Sequence, residues 1–212
     1  MKMLPSPKEK KEFVLRAHAS HSFLVVRDIC EQILNKPIPA SDPLYHPLMI
    51  AIYTTYGRPF TNCRGIGKLP EAVVPDAFKA LHQDLITYRN KIYAHADKDM
   101  VHRDYGPANE LRVSVSPQGR CRCWTQRVEG SLRQVRDILK LARRMEQTMA
   151  YWTDRFKKKY MEKMDVEPGD YLIDMESPTE LLQRRDAEQV NRERFLVNRA
   201  TSLCGLLKTP HS

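Results

Sequence analysis

The sequence predicts a mainly all-α fold: an antiparallel helical bundle with an inserted β-hairpin around residues 111–124 and a C-terminal helical extension. Three observations predict it. Glu9 through Asn35 contains no proline or glycine. Apolar residues in that stretch, in 76–97 and in 131–163 recur every three or four positions, the repeat of a helix with one buried face. Only Leu111 to Trp124 alternates with period two, around the turn Ser116-Pro117-Gln118-Gly119.

The first helix is expected over 8–35, with Leu15, Ser22, Val26, Ile29 and Ile33 near one face and Asn35-Lys36-Pro37 as its stop. Pro37, Pro39, Pro43 and Pro47 make an irregular connector. A short apolar helix, Leu48 to Tyr56, ends at Gly57 and Pro59, and the loop around that stop, residues 56–70, holds three glycines. Pro75-Asp76 suits a helix start, proline in the first turn and a carboxylate at the positive end. That helix should run to about Asp97 with Phe78, Leu81, Leu85, Tyr88 and Ile92 as its stripe.

The hairpin places Leu111, Val113 and Val115 on one face. Two strands alone are marginal, so it is expected to pack on the helices. In 131–163, Val135, Ile138, Leu139, Ala142, Met145, Met149 and Trp152 line one side, and Arg133, Arg136, Lys140, Arg143 and Arg144 another. Glu167-Pro168-Gly169 ends this stretch. A last, polar helix is expected around Thr179–Ala200, with Leu181, Leu182, Val190, Phe195 and Leu196. These elements make one main domain, 8–165, and an extension, 170–212.

No apolar run approaches the ~20 residues of a membrane helix, and the mean hydropathy is −0.56. No apolar signal core follows the charged N-terminus, so a cytoplasmic protein is expected. The five cysteines, Cys30, Cys63, Cys121, Cys123 and Cys204, are odd in number and scattered, which suits reduced thiols. Cys121 and Cys123 share a strand face, but no second Cys/His pair stands at zinc-site spacing. No metal or cofactor is expected. The net charge of +9 favours polyanion partners, nucleic acid first. Residues 131–163 hold ten Lys/Arg against four Asp/Glu, so they carry +6 of it.

Chemistry concentrates in Thr87-Tyr-Arg-Asn-Lys-Ile-Tyr-Ala-His-Ala-Asp97. On a straight helix Arg89 and His95 lie ~9 Å apart along the axis and ~120° apart around it. They are not neighbours, although a long arginine can share a pocket with His95 at the bundle edge. His95 falls within ~20° of Tyr88, beside the packed stripe, and Asn90 points elsewhere unless the helix is distorted.

Arg89-Asn90-Lys91-Ile92-Tyr93-Ala94-His95 resembles the Arg-x(4–6)-His motif of HEPN domains, in which a polar residue often follows the arginine. The order of elements over about 8–160 is also similar. The local form resembles abortive-infection HEPN-like proteins more than the toxin form, which carries a tyrosine where Asp97 stands here.

The resemblance implies a metal-independent endoribonuclease, in phage defence or stress, and a homodimer whose motif helices face each other around one cleft. The side-chain chemistry suits that activity. RNA supplies its own 2′-hydroxyl nucleophile, imidazole exchanges protons near neutral pH, and guanidinium offsets charge on a five-coordinate phosphate. His95 would be the acid/base, Arg89 the phosphate binder and Asn90 an orienting group. Arg133, Arg136, Lys140, Arg143 and Arg144 would track RNA phosphates.

Each residue also has a structural reading. His95 suits a core or helix-end histidine bonded to a carbonyl. Arg89 suits an ion pair with Asp84, Asp97 or another helix. Tyr88 and Tyr93 suit packing, and the basic stripe suits a solvated face. The corresponding function is a catalytically inactive RNA-binding or dimerisation module. Arg58, Arg64 and Lys68 in the glycine-rich loop suit phosphate contacts, yet Gly65-Ile66-Gly67-Lys68 lacks the spacing and the following Ser/Thr of a Walker loop. His18 and His21, one turn apart, read as surface histidines. Cys30 and Cys63 have no paired His and Asp arrangement, so a thiol nucleophile is not expected.

Overall fold

The computed structural model describes residues 4–36, 38–93, 101–102, 106–107, 111–125, 130–162, 164, 166–177 and 180–185. It is mainly helical and forms two compact units, Glu12–Phe156 and Met1–Lys11 with Lys157–Ser212.

In the larger unit, α1 (Pro7–Asn35), from Glu12 onward, buries Ala19, Phe23, Val26, Cys30 and Ile33, stepping by four and three. Burial, with the charge of Glu31 adding to it, pushes the Cys30 thiol up to about 12, which makes it packing material and not a nucleophile. Helix α2 (Tyr45–Gly57) starts three residues before the expected Leu48. Pro47 sits in its first turn, where a missing N–H leaves no bond unmade. Helix α2 contains no Lys, Arg, Asp or Glu and buries Tyr45, Met49, Ile52, Tyr53 and Tyr56, as a helix surrounded by others must.

A 3-10 turn at Asp76–Phe78 leads into α3 (Lys79–Tyr88), which gives way to a π-helical turn over Arg89–Tyr93. The straight helix expected to Asp97 is therefore interrupted at Arg89, and residues 94–97 lie outside the described residues. The stripe holds: Leu85 and Tyr88 are buried, while Phe78, Leu81 and Ile92 pack against the core.

Strands β1 (Val101–His102) and β2 (Gly106–Pro107) form a short antiparallel pair. Strands β3 (Leu111–Val115) and β4 (Cys121–Thr125) form the predicted hairpin, pairing Leu111 with Thr125 and Val115 with Cys121. Gly119 takes φ +74, the conformation glycine tolerates best, to close the turn. The expectation that this hairpin packs on helices is not met. Every residue of β3 is exposed, Val113 at 57%.

Helix α4 (Leu132–Phe156) buries Val135, Ile138, Leu141, Ala142, Met145 and Met149. Trp152, expected on that face, stands at its edge and is exposed; Thr153 is buried instead. The Arg16 guanidinium covers the Trp152 ring at 4.4 Å, with Arg155 at 5.5 Å, a cation–π arrangement that tolerates water. Ion pairs Arg27–Glu146 and Arg143–Glu31, each 2.8 Å, tie α1 to α4.

The second unit corrects the sequence reading. Strands β5 (Tyr171–Ile173) and β6 (Leu182–Arg184) pair antiparallel, so Leu182 lies in a strand and not in the helix expected from Thr179. The rest of the expected helical extension, 186–200, lies outside the described residues. Lys10, 2% exposed, explains the hairpin. Its ammonium donates to the carbonyls of Asp174, Ser177 and Glu180 at 2.7, 2.6 and 2.6 Å. The three donors of one lysine meet three carbonyls of the connecting turn, which a helix would have bonded internally.

Helix α1 opens with a capping box: the Ser6 N–H donates to Glu9 Oε2 at 2.9 Å and the Glu9 N–H to Ser6 Oγ at 3.3 Å. The Tyr160 hydroxyl donates to Glu9 Oε1 at 2.5 Å. That bond first, then those from Ser6, hold the Glu9 carboxyl down at about 2. Among the described residues no helix is long and apolar enough to cross a membrane.

Candidate functional site

The π turn shapes the motif. The Arg89 N–H reaches back to the carbonyls of both Leu85 and Ile86 as α3 ends, and the next five residues follow the wider repeat. Widening makes later side chains lag around the axis, so straight-helix projections do not extend past Arg89. Single π turns inside helices recur at functional sites because they re-aim a few side chains without ending the helix.

Arg89 and Asn90 form a unit. Arg89 Nη1 donates to Asn90 Oδ1 at 2.7 Å. Asn90 thus holds the guanidinium directly.

Gly57, the last residue of α2, makes room for this arginine. A Cβ built on Gly57 would stand 3.1 Å from Arg89 Cγ and 3.3 Å from Cδ. The aliphatic stem of Arg89 therefore lies against bare backbone at the C-terminal end of α2, where the helix dipole favours a cation. Arg89 makes no ion pair among the described residues, so the expected pairing with Asp84 is not formed. Asp97 and His95 lie outside the described residues.

Beneath the motif the side chains are buried and largely aromatic. Tyr88 is buried, its ring edge-on to Tyr53 with centroids 5.8 Å apart, which is the packing role expected of it. His82 is buried one turn before Arg89's carbonyl partners. Its Nδ1 shares a 2.8 Å hydrogen bond with the Tyr56 hydroxyl, and Phe60 lies edge-on at 4.5 Å. Burial holds this imidazole below its ordinary value, with the Glu71 charge opposing weakly. His82 falls four after Phe78 and three before Leu85, on the packed stripe, where apolar spacing alone does not single it out.

On α4 the five basic residues are not equivalent. Arg133, Arg136 and Arg144 are exposed and make no ion pair among the described residues. Lys140 is paired with Asp137 at 3.0 Å and Arg143 with Glu31 at 2.8 Å. Half-neutralised charges contribute less to counterion release than free ones. Among the described residues no three His, Cys, Asp or Glu side chains stand where they would hold a metal ion. Comparison with known protein families, curated proteins and solved structures finds no match for this chain.

Proposed function

We propose that this chain is a metal-independent endoribonuclease of HEPN type, acting as a homodimer through the motif helix, in the cytoplasm, in phage defence or stress. The helical bundle would be the HEPN bundle. One observation carries the reading. Arg89 is seated on Gly57, held by Asn90, and uses no carboxylate partner among the described residues. Its remaining N–H donors suit a phosphodiester in the planar, forked manner that lysine does not reproduce.

In this reading Arg89 binds the scissile phosphate and stabilises the charge of the five-coordinate state. His95 takes the 2′-hydroxyl proton or delivers one to the leaving 5′-oxygen, and Asn90 fixes the guanidinium. The products carry a 2′,3′-cyclic phosphate or 3′-phosphate and a 5′-hydroxyl. The test is cleavage of single-stranded RNA in chelator by purified protein, with Arg89→Ala and His95→Ala beside it. Loss of about 10²-fold or more in either variant, at unchanged melting temperature, supports the reading. Undiminished cleavage by His95→Ala overturns it.

A second reading rests on a different observation, the three arginines of α4 that make no ion pair among the described residues. A non-catalytic RNA-binding or dimerisation module would use Arg133, Arg136 and Arg144 with no contribution from the motif. Salt-sensitive RNA binding without product over a long incubation distinguishes it.

A further inference from the structure

Helix α1 and the glycine-rich loop after α2 line a half-open cavity of about 210 Å³. Leu15, Ala19 and Ile66 supply its apolar wall, and Ala19 is fully buried. His18 and His21 from one face of α1 and Arg58 and Cys63 from the loop side complete it, all four exposed. Residues forty positions apart in sequence thus meet at one opening. No carboxylate lines the cavity, and Arg58 makes no ion pair among the described residues.

The loop that carries Cys63 and Ile66 is firmly built. Cys63 and Gly67 exchange backbone hydrogen bonds of 3.1 and 2.8 Å, and the Leu69 N–H donates to the Pro59 carbonyl at 2.8 Å. Gly65 and Gly67 adopt φ +82 and +94, which a side chain would strain. The cavity is a standing feature of the fold, not a gap between loose segments.

We propose that this cavity binds a small organic monocarboxylate with a compact apolar body. One guanidinium supplies one permanent positive charge in a planar fork that matches a carboxylate. The two imidazoles add hydrogen-bond donors beside it, and no acid competes for the ligand's place. The apolar wall takes the body. The volume lies below the ~300–1,000 Å³ of pockets for drug-sized ligands, so the occupant is about one ring in size. The inference is independent of the ribonuclease reading and stands or falls without it.

Cys63 provides the readout. The full chain is treated with iodoacetamide in the presence of benzoate, benzamide, acetate or inorganic phosphate, and alkylation is followed peptide by peptide. Benzoate should slow modification of Cys63 several-fold and leave Cys121 and Cys123, exposed on the β-hairpin, unaffected. Benzamide lacks the charge and acetate lacks the ring, so both should protect far less. Calorimetry should place the benzoate Kd below about 10 mM and show it rising about tenfold in Arg58→Gln.

The double variant His18→Gln/His21→Gln on the exposed face of α1 serves as the second probe and should also weaken binding. Three outcomes overturn the proposal: no protection of Cys63 by benzoate, equal protection by inorganic phosphate, or wild-type affinity in both variants. His95→Ala should bind benzoate as the wild type does, whatever its effect on RNA.

Discussion

The stem of Arg89 lies across Gly57, with Cγ 3.1 Å from the point where any other residue would carry its Cβ. Gly57 has φ −74 and ψ −19, a conformation open to every L-residue. It is therefore not there for backbone freedom. Its missing side chain is what lets the arginine settle against the end of α2.

Gly57→Ala separates the position of Arg89 from the stability of the fold. Alanine gains up to ~1 kcal/mol of helix propensity over glycine, and displacing a flexible stem by a few tenths of an ångström offsets part of that. The melting temperature should change little. Cleavage of RNA should fall about tenfold or more, because small misplacements of a positioning group are costly. Parallel melting curves and initial rates check this. A variant with full activity would show that the seat on Gly57 has no part in catalysis.

His82 sets an acid limb on stability. Its folded-state value is depressed by burial, so below its ordinary value of about 6.5 the unfolded chain binds a proton that the native chain resists. The unfolded state then holds more protons, and stability falls as pH drops. The contribution is present above pH 6.5 and is lost below it. Thermal melts between about pH 7.5 and 5.5 should show this slope. His82→Phe should flatten it, since the aromatic contacts with Tyr56 and Phe60 survive while the titrating group does not. An unchanged slope would place the effect elsewhere.

The long helices were legible because burial repeated every three or four residues over many turns. Trp152 was misplaced because it stands at the edge of the stripe, where a covering arginine decides its exposure. The π turn was illegible because counting by a constant repeat assumes the turn never widens. His82 hid because an apolar count skips a histidine, here one whose Nδ1 is bonded to a buried tyrosine. Strands β5 and β6 are three residues each, too short to show a period of two, and the lysine that anchors their turn lies more than 160 positions away. The adjacency of Arg89 and Asn90 was legible; that their side chains bond each other was not.

Lys10 should prove the anchor of that hairpin. Lys10→Met keeps most of the aliphatic stem and leaves the carbonyls of Asp174, Ser177 and Glu180 without their donor. Removing one partner of a buried polar cluster costs more than the bonds themselves were worth, here about 3 kcal/mol. Hydrogen exchange at Tyr171–Ile173 should accelerate by roughly two decades, while amides in the middle of α4 keep their protection. Unchanged exchange in β5 would mean that other contacts hold the hairpin.

The α4 face gives a charge-resolved prediction. Arg133, Arg136 and Arg144 are exposed and unpaired among the described residues, whereas Lys140 and Arg143 already face Asp137 and Glu31. If this face follows a single-stranded RNA backbone, each free charge contributes ~0.7 to the slope of log K against log salt. The triple variant Arg133→Gln/Arg136→Gln/Arg144→Gln should therefore lower that slope by about 2 and weaken binding uniformly across sequences. Lys140→Gln/Arg143→Gln should lower it by less, because each removes a charge that is partly neutralised and leaves a carboxylate behind. Equal losses per charge in the two variants would show that the ion pairs open on binding. No loss in either would remove this face from the RNA path and leave the motif helix as the whole of the contact.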